Sequence, residues 1–175
     1  AQLRLGPFGM LFSNVWQNVD PIFGLPFLLR PYAGAGMAVA VSDDGLYWEH
    51  EDLEQNILRT AQFDFIDGDN DPSGGEHGTQ VAGVIFGRGG NGVGITGVAP
   101  KAKGAGLRWD MGITDDESTA DLIDFKAFKF DVHNASWGMP DGGLVASSPG
   151  PLTLDQFERN SAGLSPLPYV FPAGN

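Results

Sequence analysis

Apolar residues along the chain gather in short continuous runs, separated by glycine-rich and acidic turns. Met37-Ala-Val-Ala-Val-Ser42 is one such run, closed by Asp43-Asp44-Gly45. An apolar run that stops at a tight turn predicts a strand buried on both faces. From His77 the sequence Gly-Thr-Gln-Val-Ala-Gly-Val-Ile-Phe86 repeats apolar residues at helical spacing, and Gly87 opens the glycine-rich loop that ends the helix. The same reading predicts strands over 102–107, 132–136 and 169–173, and helices over 118–129 and 152–161.

Residues 1–36 carry Gly, Pro and large apolar groups without a sustained period, and are expected to form an arm packed on the domain. Residues 37–175 are expected to form one domain. Strand and helix alternate there, with apolar rather than half-polar strands. The pattern predicts an α/β fold, a doubly wound and mostly parallel sheet with helices on both faces. Ligands of such sheets bind beyond the carboxyl ends of the strands. Asp43, Ser136 and Asn175 lie at those ends, so a cleft is expected there.

Composition narrows the function classes. With 175 residues, 42% hydrophobic content and 26 glycines, the chain is globular and turn-rich. Its formal charge of −12, from 10 basic and 22 acidic residues, argues against a nucleic-acid partner and in favour of cationic substrates or bound cations. No cysteine is present, which excludes disulfides, thiol catalysis and zinc–thiolate sites. The apolar stretch 22–29 contains Gly24 and Pro26 and is too short to span a bilayer. No signal-peptide pattern opens the chain. The absence of cysteine leaves the compartment undecided: a secreted enzyme, extracellular or periplasmic, fits these features, and so would others.

An acyl-transfer site needs a base to activate a hydroxyl, a carboxylate to hold that base in one tautomer, and donors for the oxyanion. His77 and Asp43 suit the first two roles. Taken singly, a strand-terminal aspartate is commonly a turn residue and a lone histidine commonly structural. Their context is more specific. Val39-Ala-Val-Ser-Asp43-Asp-Gly, His77-Gly-Thr-Gln-Val-Ala-Gly, Gly97-Val-Ala-Pro100, Ala135-Ser-Trp-Gly138 and Ala173-Gly-Asn175 follow one another in order. Together they resemble the successive signatures of the subtilisin superfamily of serine proteases. Asp44-Gly-Leu46, Glu51-Asp-Leu53 and Ser136-Trp-Gly138 are closer to kexin and furin-type proprotein convertases than to subtilisin itself.

The resemblance implies a serine endopeptidase. Asp43 would orient the imidazole, His77 would act as general base, and the Asn175 amide would donate to the oxyanion. The backbone of Ser136, Trp137 and Gly138 would pair with an extended peptide substrate. Asp141 and Asp44 would face basic substrate side chains in the first and second pockets, although turn chemistry beside glycine accounts for either residue equally. Gly74 and Gly75 stand where the convertases have an aspartate, a departure from strict dibasic pockets. The resemblance also implies a structural Ca2+ held by Asp52, Asn91 and the carbonyls of Arg88, Val93 and Ile95, with Asp20 as a further ligand.

Two motif matches fail. Asp67-Gly-Asp69-Asn-Asp71 opens like an EF-hand loop, but Pro72 and Gly78 stand where that loop needs Gly and Glu, leaving a solvated acidic turn. Asn134-Ala-Ser136 is a formal glycosylation acceptor on a strand expected to be buried. Subtilases carry their nucleophile in a Gly-Thr-Ser segment beyond the oxyanion asparagine, and none of the serines from Ser13 to Ser165 lies in such a segment. The expectation is therefore part of a protease domain, inactive without its missing C-terminal part. The alternative is a catalytically inactive fragment that binds peptides or regulates.

Overall fold

The computed structural model describes residues 33–110, 116–137, 151–162 and 167–172. Among these, five strands form one parallel sheet: β1 Ala38–Asp43, β2 Phe63–Asp64, β3 Lys103–Arg108, β4 Val132–Ala135 and β5 Tyr169–Val170. Three helices accompany them: α1 His77–Phe86, α2 Asp116–Asp124 and α3 Pro151–Ala162. The strand order β2-β3-β1-β4-β5 puts β1 at the centre. The chain builds one side of the sheet through β3 and then crosses to β4 on the other side of β1. The crevice of a doubly wound sheet opens at such a reversal, beyond the strand ends. Asp43 ends β1 there.

β1 is buried on both faces, as its apolar run predicts. Val39 and Val41 pack with Leu46, Leu53, Ile57 and with Ala82 and Phe86 of α1. Ala40 points the other way, into a second core with Ala105, Leu107, Trp109, Phe130, Leu167 and Leu122 of α2. Each large side chain fully removed from water contributes about 1.5–3 kcal/mol before the entropy of ordering it. Phe86 reaches the sheet because β3 has Gly104 beneath it: a Cβ there would fall 2.1 Å from the ring. Gly87 closes α1, its N–H donating to the Gly83 carbonyl at 2.9 Å.

The strands expected over 37–42, 102–107 and 132–136 and the helix from His77 match the observed elements to within a residue or so. Three features differ: the strand expected over 169–173 stops at Val170, and β2 and the end of α2 are the other two. β2 has only two residues, too few to carry a period, and pairs with Leu107 and Arg108 of β3, so tertiary pairing rather than local pattern makes it a strand. The helix expected over 118–129 ends at Asp124, because Lys126 adopts a left-handed conformation (φ 49°) and a 3-10 turn, Ala127–Lys129, follows. Helical periodicity continues through that break in the sequence and hides it.

Candidate active site

Asp43 and His77 come from different elements and meet. Asp43 is the last residue of β1 and 1% exposed, while His77 is the first of α1 and its side chain is half exposed. Asp43 Oδ1 lies 2.7 Å from His77 Nδ1 and also accepts the Asp44 N–H at 2.9 Å. The Trp109 N–H donates to the Asp43 carbonyl at 3.0 Å, which fixes the strand end. The approach requires Gly78: a Cβ there would lie 2.7 Å from Asp43 Cβ and 2.2 Å from the Gly45 carbonyl oxygen.

Asp44 holds the start of α1. Its N-cap residue, Glu76, makes no side-chain cap. Instead Asp44 Oδ1 accepts the Gly78 N–H at 2.9 Å and Oδ2 the His77 N–H at 3.3 Å. A carboxylate on free N–H groups at a helix start is favoured by both the hydrogen bonds and the helix dipole. Gly75 makes room, since a Cβ there would fall 2.1 Å from Asp44 Cγ. The two adjacent aspartates thus grip the same histidine, one through its ring and one through its backbone.

The electrostatics of the pair run in opposite senses. Burial pushes the Asp43 carboxyl up, against hydrogen bonds from His77 and Asp44 that pull it down. Its Oδ2 has no hydrogen-bond partner among the described residues. The hydrogen bond to Asp43 holds His77 above the ordinary imidazole value, with burial opposing and the charges of Asp43 and Asp44 assisting. An upward aspartate weakens an ion pair and an upward histidine strengthens one. The histidine direction governs, because its half-exposed ring shares an imidazolium charge with water as well as with the carboxylate.

Beside His77 a cleft of about 330 Å³ is lined by Gln80, Val81, Val84 and Ile85 of α1, Asn134 of β4, and Ser136. Ser136 Oγ accepts the Asn134 side-chain N–H at 2.9 Å, and the Trp137 indole turns to the opposite face of the sheet, donating to Ser42 Oγ at 3.4 Å. An imidazole held at Nδ1 by a buried carboxylate, with its other edge toward a cleft, is arranged to take a proton from a hydroxyl.

The residues expected to hold a metal lie apart from this pair, around Asp52. That carboxylate is 3% exposed. Oδ1 accepts the Asn91 side-chain N–H and Oδ2 the Ile95 N–H, both at 2.8 Å, and the Arg88 N–H donates to the Asp52 carbonyl at 2.8 Å. Val93 closes the loop with its N–H on Asn91 Oδ1 at 3.3 Å. The loop curls in this way because Gly90, Gly92 and Gly94 are all left-handed, with φ of 80°, 82° and 54°. No cationic side chain pairs with Asp52 among the described residues. A Cβ at Gly87 would lie 3.1 Å from the Ile95 carbonyl oxygen and 3.4 Å from Asp52 Oδ2, so two oxygens converge on one small space. A buried carboxylate beside the Ile95 carbonyl offers oxygen donors of the kind a hard cation takes.

Asp20, Gly138, Asp141 and Asn175 lie outside the described residues. The acidic turn after β2 is exposed over Asp67, Asp69 and Asp71, as expected, while Arg108 spans Asp64 and Asp67 at 2.6 and 2.8 Å. Sequence reasoning missed the capping role of Asp44, and it missed Ser42 and His133, which are 0% and 1% exposed. The available signal was a hydroxyl and an imidazole within short segments that read as buried strands.

Comparison with known proteins agrees with the geometry. The model of the Subtilase family, Peptidase_S8, matches residues 34–175. The chain is 35% identical over 155 residues to Endoprotease bli-4 of Caenorhabditis elegans, covering 84% of this chain and 16% of that protein. It is 34% identical over 192 residues to Kexin of Saccharomyces cerevisiae, covering 100% of this chain and 23% of that protein. The chain therefore spans less than a quarter of the length of these relatives. Among solved structures, the Aeromonas sobria serine protease in complex with its chaperone superposes with a TM-score of 0.68 at 25% identity, over 84% of this chain and 26% of that one. A cold adapted subtilisin-like serine proteinase gives 0.61 at 26%, over 82% and 48%. With a subtilisin-like parallel sheet and a family match over most of its length, the chain belongs to the subtilase family and is similar to its kexin and furin-type members.

Proposed function

We propose that the protein is a kexin-type serine endopeptidase that hydrolyses peptide bonds after basic residues, and that this chain is the front part of its catalytic domain. The observation that carries the reading is the 2.7 Å contact between buried Asp43 and His77 at the mouth of a cleft. Asp43 keeps the His77 proton on Nδ1, which leaves Nε2 to accept the proton of a serine hydroxyl as it attacks the peptide carbonyl. The hydroxyl is supplied by polypeptide beyond Asn175. His77 then returns the proton to the leaving amine, and Asp43 stabilises the transient imidazolium. The Asn175 amide donates to the oxyanion, and the backbone of Ser136–Gly138 pairs with the substrate.

Asp141, and Asp44 with it, supplies negative charge for basic substrate side chains. The net charge of −12 favours the encounter with a cationic peptide. Asp52, Asn91 and the carbonyls of Arg88, Val93 and Ile95, with Asp20, would hold a Ca2+ whose contribution is stability of the loop rather than a chemical step. Secretion, to the cell exterior or the periplasm, fits a calcium-dependent enzyme of this type. No described helix is long and apolar enough to cross a membrane.

Two measurements test this. Intact mass and a peptide map of the native protein should extend past Asn175 into a Gly-Thr-Ser segment; a protein ending at Asn175 would reject hydrolysis and leave a peptide-binding module. In the complete protein, peptides with Arg at the cleaved position should be hydrolysed faster than neutral ones of similar size. Asp141→Asn should reduce that ratio at least about tenfold, the cost of losing one partner of a desolvated pair. An unaltered ratio removes Asp141 from the pocket.

A further inference from the structure

The ladder between β1 and β4 stops at the pair Ser42 and Ala135. Beyond it the backbone of Ser136 and Trp137, the segment read above as pairing with substrate, is no longer held by the sheet. Two side-chain ties follow the ladder: Ser136 Oγ accepts the Asn134 side-chain N–H at 2.9 Å, and the Trp137 indole N–H reaches across to β1, donating to Ser42 Oγ at 3.4 Å. His133 Nε2 meets the Ser42 hydroxyl at 3.0 Å, and that hydroxyl also reaches the Asn134 carbonyl oxygen at 3.3 Å. The Ser42 contacts with Trp137 and His133 lie on the sheet face opposite α1. The His133 ring packs on Tyr169 at 5.2 Å between centroids, and Trp137 lies between Trp109 at 6.2 Å and Phe171 at 6.4 Å.

We propose that Ser42 and His133 are positioning residues for the substrate-pairing edge: the buried hydroxyl, oriented by the imidazole, anchors the Trp137 indole and so fixes the backbone of Ser136–Trp137. This inference rests on the proposed function of that edge. The proton count supports it. Trp137 can only donate and the Asn134 carbonyl can only accept, so His133 decides where the single hydroxyl proton goes. When the imidazole accepts that proton, the hydroxyl still receives the Trp137 indole N–H but has no proton left for the Asn134 carbonyl. When it donates from Nε2, the hydroxyl turns to Asn134 and still receives both N–H groups. Burial pushes His133 down to about 4, so the ring is neutral at ordinary working pH.

A hydroxyl and an imidazole at the centre of an apolar sheet are costly unless hydrogen-bonded, and an apolar pair would fill the space without that cost. What the polar pair adds is a directional hold on Trp137. The arrangement resembles a picture hook: the sheet carries the load, and the hydroxyl keeps the frame from rotating. Ser42 is also the chain neighbour of Asp43, so the anchor and the triad carboxylate share one strand end.

The test compares Ser42→Ala, His133→Phe and His133→Gln in the complete protein. Exchange of the Trp137 indole N–H is measured against that of Trp109, which is buried with no hydrogen-bond partner for Nε1 among the described residues and reports general opening. Ser42→Ala should speed Trp137 exchange at least about tenfold relative to Trp109, the scale set by loss of one hydrogen bond. For a cleaved peptide, KM should rise about tenfold while kcat stays within about threefold, because ground-state alignment rather than proton transfer is lost. His133→Phe, which keeps the ring packing, should shift both in the same direction, and His133→Gln should recover part of the loss. An unchanged exchange ratio with an unchanged KM, whatever the effect on melting temperature, overturns the proposal. If the wild-type protein cleaves no peptide, the proposed function fails, and the exchange ratio alone decides whether Ser42 anchors Trp137.

Discussion

At the scale of single residues, the site is a histidine held in two places. The ring is held by Asp43 and the backbone N–H by Asp44. In its proposed role as general base His77 works only when neutral, and its hydrogen bond to Asp43 holds it above the ordinary value of 6.5. For stability the same shift has a fixed sign. A histidine raised in the folded state binds its proton more tightly than in the unfolded chain, so its contribution is full below pH 6.5 and is lost as pH rises through the folded value. Activity has the opposite trend over that range. The acid limb of kcat/KM in the complete protein should therefore have its midpoint above 6.5, and Asp43→Asn should move it to lower pH while reducing the rate by about four orders of magnitude. A pH–rate profile of both proteins checks this; coincident limbs would detach Asp43 from the base.

At the scale of elements, close packing at glycines sets the geometry. Gly78 lets α1 start against the end of β1, and any side chain there must displace the Gly45 carbonyl or Asp43 itself. Gly78→Ala should lower stability by about 1–3 kcal/mol, the range for forcing extra atoms into a packed site. The loss should appear both in a denaturant melt and as a weakened Asp43–His77 contact in the imidazole NMR spectrum. A variant with wild-type stability and spectrum would show that the helix start yields freely.

The same elements explain what could be read in advance. β1 was legible because it is an apolar run closed by a turn, β3 and β4 as short segments alternating with helical ones, and α1 because its apolar spacing ends at Gly87. β2 was not legible, since two residues carry no period, nor was the end of α2, where Lys126 turns left-handed without a glycine to mark it. Asp43 and His77 were legible through their neighbours in sequence. The grip of Asp44 on α1 and the Ser42–His133–Trp137 contacts were not, because they depend on which strands lie side by side and in what register.

At the scale of the whole molecule, the Asp52 loop ties distant parts of the chain together. Asp52 follows the β1 turn, while Arg88 to Ile95 follow α1, so the same carboxylate closes a loop that contains all of α1. A cation bound there stabilises the folded state by mass action, about 3–4 kcal/mol when calcium exceeds its dissociation constant by 100- to 1,000-fold. The thermal midpoint should fall in chelator and rise in excess calcium, and Asp52→Asn should abolish the difference. A midpoint that ignores calcium rejects the site.

The twin aspartates also limit how such an enzyme can be re-engineered. Asp44, proposed above to meet basic substrate side chains, already has its two oxygens committed to the N–H groups of His77 and Gly78. Removing its charge frees the helix start that carries the base. If Asp44 has the proposed pocket role, selectivity and turnover depend on one side chain, and a library varied at position 44 alone is expected to trade one for the other. A redesign that keeps speed must first give α1 a cap of its own, for instance by replacing Glu76, and only then alter the pocket.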